Sequence, residues 1–259
     1  MSSDEVRDRS GVAGTPDKKT LRGEIRAQRK ARRREQDDAA RALEAERIAR
    51  AAIAHLDSCP EARTAGWGGP SATVAAFRST PSEPDTSALL DALHEREVRI
   101  LVPRTQPDLS LDWHQLLPPD QRPGRSADSS ESGPSASRSA VSGSVATDGA
   151  GASAQTPARS DAELPGEDDV ADEGPALGAD AVADISAMIL PGLAVDPHGH
   201  RLGQGGGCYD RTLPRMRPDT CRAVLLFDAE ILPAVPAAEH DQQVPAVLTP
   251  EAGWRDLTS

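Results

Sequence analysis

The sequence predicts a single three-layer α/β domain with a mostly parallel sheet, a long N-terminal helix and a disordered loop insertion. Three observations lead there. Short aliphatic runs alternate with segments of helical spacing, the pattern of strands joined by crossover helices. The 259 residues include three Trp, two Phe and one Tyr, so the core must be built from Val, Leu, Ile and Ala. One aliphatic run, residues 187–190, ends at Pro191-Gly192 and leads through a polar loop into four glycines within residues 203–207. Glycines at a strand-to-helix junction let a ligand approach the backbone closely.

The elements follow in chain order. Residues 1–16 are polar with Gly and Pro and are expected to be disordered. Residues 17–56 read as one long helix, with Leu21, Ile25, Leu43, Ile48, Ile53 and Leu56 as sparse apolar positions. Residues 73–78 are the first expected strand. The loop 80–86 ends in an N-cap signal, Asp85 or Thr86, and residues 87–96 carry Leu89, Leu90 and Leu93 at helical spacing. Residues 98–102 are the second strand, stopped by Pro103. Residues 187–190 are the third, 221–227 the fourth and 246–249 the fifth. From 121 to 160, 27 of 40 residues are Ser, Ala, Gly or Pro, and 161–184 holds nine acidic residues and no basic one. Such a segment cannot bury enough apolar surface to offset its ordering entropy. Residues 121–169 are therefore expected to form a disordered insertion in a surface loop of a domain that runs over 17–259.

Composition excludes several classes. A net charge of −12 argues against general nucleic-acid binding. The polar N-terminus has no signal-peptide character, and no run approaches the length of a membrane-spanning helix; no membrane association is expected. Cys59, Cys208 and Cys221 are odd in number and form no Cys-x-x-Cys, which fits a reducing cytoplasm.

The glycine loop suits phosphate, since successive backbone N–H groups make an anion-binding nest. It is neither a Walker A loop, for no Gly-Lys-Ser/Thr occurs, nor a dinucleotide fingerprint, because Cys208 stands where the last glycine belongs. Asp210 adds a carboxylate for a metal, and Arg201 and Arg211 add cations. His198-Gly199-His200 lacks the further Cys or carboxylate ligands of a zinc set. Cys208 has no His at a telling spacing and reads as a small packing residue. The N-terminal helix carries Lys18, Lys19, Arg22, Arg26, Arg29, Lys30 and Arg32 to Arg34. This is open to three readings: a nucleic-acid arm, a solvated basic face, or cations for phosphate. Lys18 and Arg22 lie four apart and share a helix face.

The string Pro191-Gly192-Leu193-Ala194-Val195-Asp196, a short gap, then Gly199-His200-Arg201-Leu202-Gly203-Gln204-Gly205-Gly206-Gly207-Cys208-Tyr209-Asp210-Arg211 closely resembles the signature of the 5-formyltetrahydrofolate cyclo-ligase family. Shorter matches occur in the family's order. Lys18-Lys19-Thr20-Leu21-Arg22 resembles its opening Lys-x-x-Leu-Arg. Glu83-Pro84-Asp85-Thr86 resembles its folate-side loop, and Arg99 to Arg104 the strand after it. Pro233, Pro236 and Glu239-His240-Asp241 resemble its Pro-x-x-x-His-Asp segment. Three positions depart from the pattern. Gln204 stands in place of an Arg, and Cys208 in place of a common Tyr. Asp172-Glu173 precede Gly174-Pro175 out of register with the usual Glu-Pro.

The resemblance implies ATP- and Mg2+-dependent conversion of 5-formyltetrahydrofolate to 5,10-methenyltetrahydrofolate, with ADP and phosphate released, by a cytoplasmic monomer. It implies ATP binding by Lys18, Lys19, Thr20, Leu21 and Arg22 and by Arg201, Leu202, Gly203, Gln204, Gly205, Gly206, Gly207, Cys208 and Tyr209. Folate would meet Arg78, Glu83 and the loop from Gln204 to Tyr209. Asp210 and Asp241 would hold magnesium, and no general base is implied. On this reading Gln204→Arg is expected to restore a cation and improve ATP use. The alternatives are a catalytically impaired folate or nucleotide binder, and an interaction module using the basic helix and acidic insertion.

Overall fold

The computed structural model describes residues 17–122 and 172–257. The expected disordered N-terminus and nearly all of the expected insertion lie outside the described residues. The helices are α1 (Lys18–Glu35), α2 (Asp38–Ser58), α3 (Pro60–Thr64), α4 (Ser87–Glu95) and α5 (Cys208–Thr212). The strands are β1 (Thr73–Ala75), β2 (Arg99–Thr105), β3 (Leu111–Leu116), β4 (Glu173–Ala176), β5 (Ala187–Pro191), β6 (Ala194–Val195), β7 (Arg201–Leu202), β8 (Cys221–Leu225), β9 (Ala246–Thr249) and β10 (Gly253–Asp256).

Eight strands form one sheet in the order β10-β9-β8-β5-β1-β2-β3-β4. The five central strands, β9 to β2, are parallel, and the outer pairs are antiparallel. Alternate residues of the central strands divide into two cores. Val74, Ala187, Ile189, Ala223, Leu225 and Leu248 join α2, α3 and α4 on one face. Ala75, Met188, Leu190, Val224 and Val247 join Trp113, Leu213 and Met216 on the other. Side chains that alternate across a sheet covered on both faces give the three-layer domain.

The described structure corrects several expected boundaries. Residues 17–56 are two helices. Gln36 is extended, and the Asp37 carboxylate accepts from the Ala40 N–H at 2.7 Å, so Asp37 caps a new helix. This break between helices has no Gly or Pro to announce it. Leu43, expected among the apolar positions, is exposed. β1 is half as long as expected. β2 runs through Pro103, because β1 has ended beyond Leu101 and Pro103 faces Trp113 of β3 alone; the missing N–H breaks no ladder on the β1 side. β3 and β10 were not foreseen, although Leu111, Trp113 and Leu116 are buried.

The ends of the undescribed segment meet. Leu117 N–H donates to Asp172 O at 2.8 Å, and Arg122 pairs with the Asp172 carboxylate at 3.2 Å. Replacing residues 123–165 by a short Gly/Ser linker is therefore expected to change unfolding free energy by about 1 kcal/mol or less, because closure cost grows slowly with loop length. Urea denaturation of the shortened chain checks this; loss of the folded baseline would show that the segment contributes to the core.

Candidate active site

The topology fixes where ligands can lie. Along the chain, the parallel strands β1, β2, β5, β8 and β9 stand in the spatial order β2-β1-β5-β8-β9. The connection reverses direction between β1 and β5, and such a switch point opens a crevice at the strand C-termini. The loop after β1 carries Arg78 and Glu83. The segment after β5 carries the signature.

That segment is not a simple loop. β6 and β7 pair antiparallel, so the glycines follow a small hairpin rather than the sheet strand itself. Asp196, almost fully buried, organises the hairpin turn. Its carboxylate accepts from the His198 N–H at 2.9 Å, the His200 N–H at 3.1 Å, His200 Nδ1 at 3.0 Å and the Val235 N–H at 3.1 Å. Burial pushes the Asp196 carboxyl up, but His200 and these N–H groups outweigh it and hold it below the usual carboxylate range. The His-Gly-His string thus serves the turn. Gly199 is required there: its φ is +82°, and an added Cβ would lie 2.3 Å from Val244 O. Gly199→Ala is expected to lower stability by about 2–4 kcal/mol, read from the shift in denaturation midpoint.

Leu21 and Ile25 of α1 pack on Leu193, Ala194, Leu202 and Val235 in a third core. This packing lays the cationic face of α1 along the signature. Arg22 Nε donates to Gly203 O at 2.8 Å. Arg26 donates to Gln204 Oε1 at 2.7 Å and to Gln204 O at 3.2 Å. Lys18 pairs with Asp241. Arg29, almost fully buried, forks onto both oxygens of Glu230 at 2.6 and 2.8 Å and donates to Gly192 O at 2.8 Å. Lys19 and Thr20 are exposed, and their N–H groups serve the Asp17 cap. The structure therefore brings Lys18, Arg22 and the loop together, with Leu21 as the packing residue beneath. It leaves Lys19 and Thr20 at the helix start.

The glycine loop turns through left-handed backbone at Gly205, φ +113°, and Gly207, φ +65°. α5 begins at Cys208, whose half-buried thiol is pushed up by burial, which weakens any nucleophile reading. Arg201 is buried. Its Nη2 donates to Asp210 Oδ1 at 3.0 Å and its guanidinium lies 5.8 Å from the Tyr209 ring centroid. Its buried Nε has no hydrogen-bond partner among the described residues. Tyr209 packs at the edge of the second core; burial pushes its phenol up, with the Glu83 charge adding to the effect.

The two expected metal ligands lie on adjoining segments. Asp210 Oδ1 also accepts from the Gln242 N–H at 3.2 Å, directly after Asp241. Asp241 Oδ2 accepts from Lys18 and from the Ala238 N–H at 2.6 Å. Burial pushes Asp241 up, and those two donors outweigh it, leaving the carboxyl below its usual range. On the β1 side, Glu83 is buried, accepts from the Thr80 N–H at 2.9 Å and lies 4.0 Å from Arg29. Arg78 stands 3.8 Å from Asp172 and 3.9 Å from Glu173, and Arg104 donates to Glu173 at 2.5 Å.

A sequence profile of the 5-formyltetrahydrofolate cyclo-ligase family matches residues 14–151 and 172–250. The chain belongs to the 5-formyltetrahydrofolate cyclo-ligase family. A 5-formyltetrahydrofolate cyclo-ligase of Mycolicibacterium smegmatis is 29% identical over 186 residues, 70% of this chain and 75% of that protein. The mouse cyclo-ligase is 39% identical over 90 residues, 32% of this chain and 41% of its own length. The fold matches an Aquifex aeolicus 5,10-methenyltetrahydrofolate synthetase with a TM-score of 0.53 at 18% identity, covering 92% of this chain and 94% of that one. It also matches the Mycoplasma pneumoniae synthetase with a TM-score of 0.54 at 14% identity, covering 90% and 98%. The family is one of ATP-dependent ligases, and ring closure of 5-formyltetrahydrofolate is the activity of this member. No described helix is long and apolar enough to cross a membrane.

At two departures from the family pattern the structure shows the neighbours. Arg26, one helical turn beyond Arg22, places its guanidinium 2.7 Å from Gln204 Oε1. Glu173, out of register with the usual Glu-Pro, meets Arg104 and Arg78. Sequence reading missed Arg26 and Arg29 as site-building residues. The spacing Lys18, Arg22, Arg26, Arg29 was a usable signal, since it keeps one helix face.

Proposed function

We propose that α1 and the glycine loop hold ATP while the β1 side holds the folate. The observation that carries this reading is the pair Arg22 and Arg26 lying on the loop that spans Gly203 to Gly207, on the helix face they share with Lys18, which meets Asp241, and the orphan Nε of Arg201. The N–H groups of Gly205 to Gly207 and these cations take the phosphates. Arg78, Glu83 and Tyr209 face the pterin. The reading takes the enzyme to be a cytoplasmic monomer built on one domain over 17–259.

The reaction needs little covalent help from the protein. The formyl oxygen of the substrate is a poor leaving group. Transfer of the γ-phosphoryl group to that oxygen gives an activated iminium phosphate and ADP. The neighbouring folate amine then attacks the formyl carbon and gives up its proton to solvent, the ring closes, and phosphate departs with the oxygen. The residues position the two substrates and neutralise charge on the phosphoryl group as it moves. Folate-side groups keep the formyl oxygen in line with the γ-phosphate. A carboxylate beside phosphates is repelled by them unless a divalent ion lies between. The donor set of Asp210 and Asp241 fits magnesium, which takes one or two carboxylates with phosphate oxygens and water. Magnesium supplies charge neutralisation across the phosphates when bound. Asp241 must part from Lys18 to serve it, which frees the Lys18 ammonium for phosphate.

Arg26 reverses the expectation for Gln204. A second guanidinium at position 204 would stand against the first, so Gln204→Arg is expected to weaken ATP use. Arg26→Ala is expected to raise the KM for ATP about tenfold, ~1.4 kcal/mol. Initial rates of methenyltetrahydrofolate formation against ATP concentration test both. Improved ATP use by Gln204→Arg, or an unchanged KM in Arg26→Ala, would remove Arg26 from the nucleotide site.

A further inference from the structure

At the opposite end of the sheet from the ligand loops lies a second cluster with chemistry of its own. His55 is on the last turn of α2, Cys59 is the corner residue joining α2 to α3, and Cys221 is the first residue of β8. One ligand atom from each of the three lies within 4.8 Å of the others. Both thiols are buried. Glu61 Oε2 lies 3.2 Å from Cys59 Sγ. The Ala62 N–H points at the same sulfur at 3.4 Å. Trp254 stacks on the His55 ring at a centroid distance of 4.0 Å and an interplanar angle of 7°, which fixes the ring plane. None of these residues takes part in the nucleotide or folate reading.

We propose that His55, Cys59 and Cys221 form a zinc site of three protein ligands, with water in the fourth position. Two sulfurs and one imidazole are a soft, nitrogen-containing set that favours Zn2+ and disfavours Mg2+, which takes hard oxygen ligands. The site would therefore not compete for the ion used with ATP. Binding displaces the two thiol protons to solvent, because a coordinating thiol is deprotonated by the ion. The consequence is mechanical: the ion clamps the α2–α3 corner to β8, at the foot of the strand whose other end leads to Phe227 and Glu230. A Cys59–Cys221 disulfide would use the two sulfurs and leave His55 without a role.

The test uses the full chain, reduced and stripped with a chelator, and titrated with Co2+ without substrates. The expected result is one equivalent of cobalt bound with thiolate-to-cobalt charge transfer and tetrahedral d–d bands, all displaced by Zn2+. Zn2+ at about a hundredfold over its Kd is expected to raise Tm by roughly 5–10 °C. Cys59→Ser and Cys221→Ser lose the charge-transfer intensity and the Tm shift, while Cys208→Ser keeps both and both cluster variants retain cyclo-ligase turnover. His55→Gln, which keeps both thiols, covers the case in which a Ser variant folds poorly; it lowers Zn2+ affinity at least about tenfold. Absence of the thiolate band in the wild-type protein overturns the proposal. So does a band that survives Cys221→Ser, or a Cys59–Cys221 disulfide that closes in air while Zn2+ is in excess.

Discussion

Asp210→Asn is expected to lower the rate of methenyltetrahydrofolate formation at least about tenfold, ~1.4 kcal/mol, and to raise the magnesium concentration needed for it. The substitution keeps the size of the side chain and an oxygen that can accept from Arg201 and from the Gln242 N–H. It removes the charge that would sit beside the phosphates. Asp241→Asn should act in the same direction more mildly, because part of its loss is offset by release of Lys18. The double variant should fall short of the sum, since both carboxylates act through one ion. The measurement is a magnesium titration of turnover for the four proteins, with circular dichroism as the fold control. An unchanged magnesium dependence in the Asp210 variant would leave the glycine loop as a phosphate nest alone.

Glu230→Ala is expected to cost about 3–5 kcal/mol of stability. The removed carboxylate is the fork partner of Arg29, and both side chains are almost fully buried. Truncation strands a guanidinium that keeps Gly192 O, the more distant Glu83 and the Phe227 ring at 5.7 Å. It also breaks the Glu230 bond to the Phe227 N–H at 2.9 Å. Because Arg29 seats α1, the loss should reach function as well: Lys18, Arg22 and Arg26 would lie less firmly on the loop, and the KM for ATP should rise. Urea denaturation and ATP kinetics read the two effects. A denaturation midpoint unchanged from wild type would show that the pair contributes nothing net to the fold.

The fold was legible where period and punctuation agreed. The runs at 187–190 and 246–248 are wholly apolar and end close to a proline, so their strand character needed no partner to explain it. The break after Glu35 was hidden because Asp37 is an ordinary polar residue until its carboxylate is seen to cap Ala40. β4 was hidden because Glu173–Ala176 has no strand composition; it is held by pairing with β3, a tertiary effect. The site was legible as a string and not as a surface. Glycines and Asp210 were visible because they are contiguous. Arg26, Arg29 and Glu173 were not, because their relevance depends on which helix face packs on Leu193 and Leu202 and on which strand lies beside β3. The reading of Gln204 as a lost cation came from counting along the chain, and the distance from Arg26 changes its meaning.

The central claim is that α1, the glycine loop and the β1 side together couple ATP to ring closure. The most direct test incubates the purified full chain with 5-formyltetrahydrofolate, ATP and magnesium and follows methenyltetrahydrofolate, ADP and phosphate together. The expected result is one ADP and one phosphate for each ring closed, with no product when ATP or magnesium is withheld. ADP release without ring closure, or ring closure at the same rate without ATP, would contradict the account.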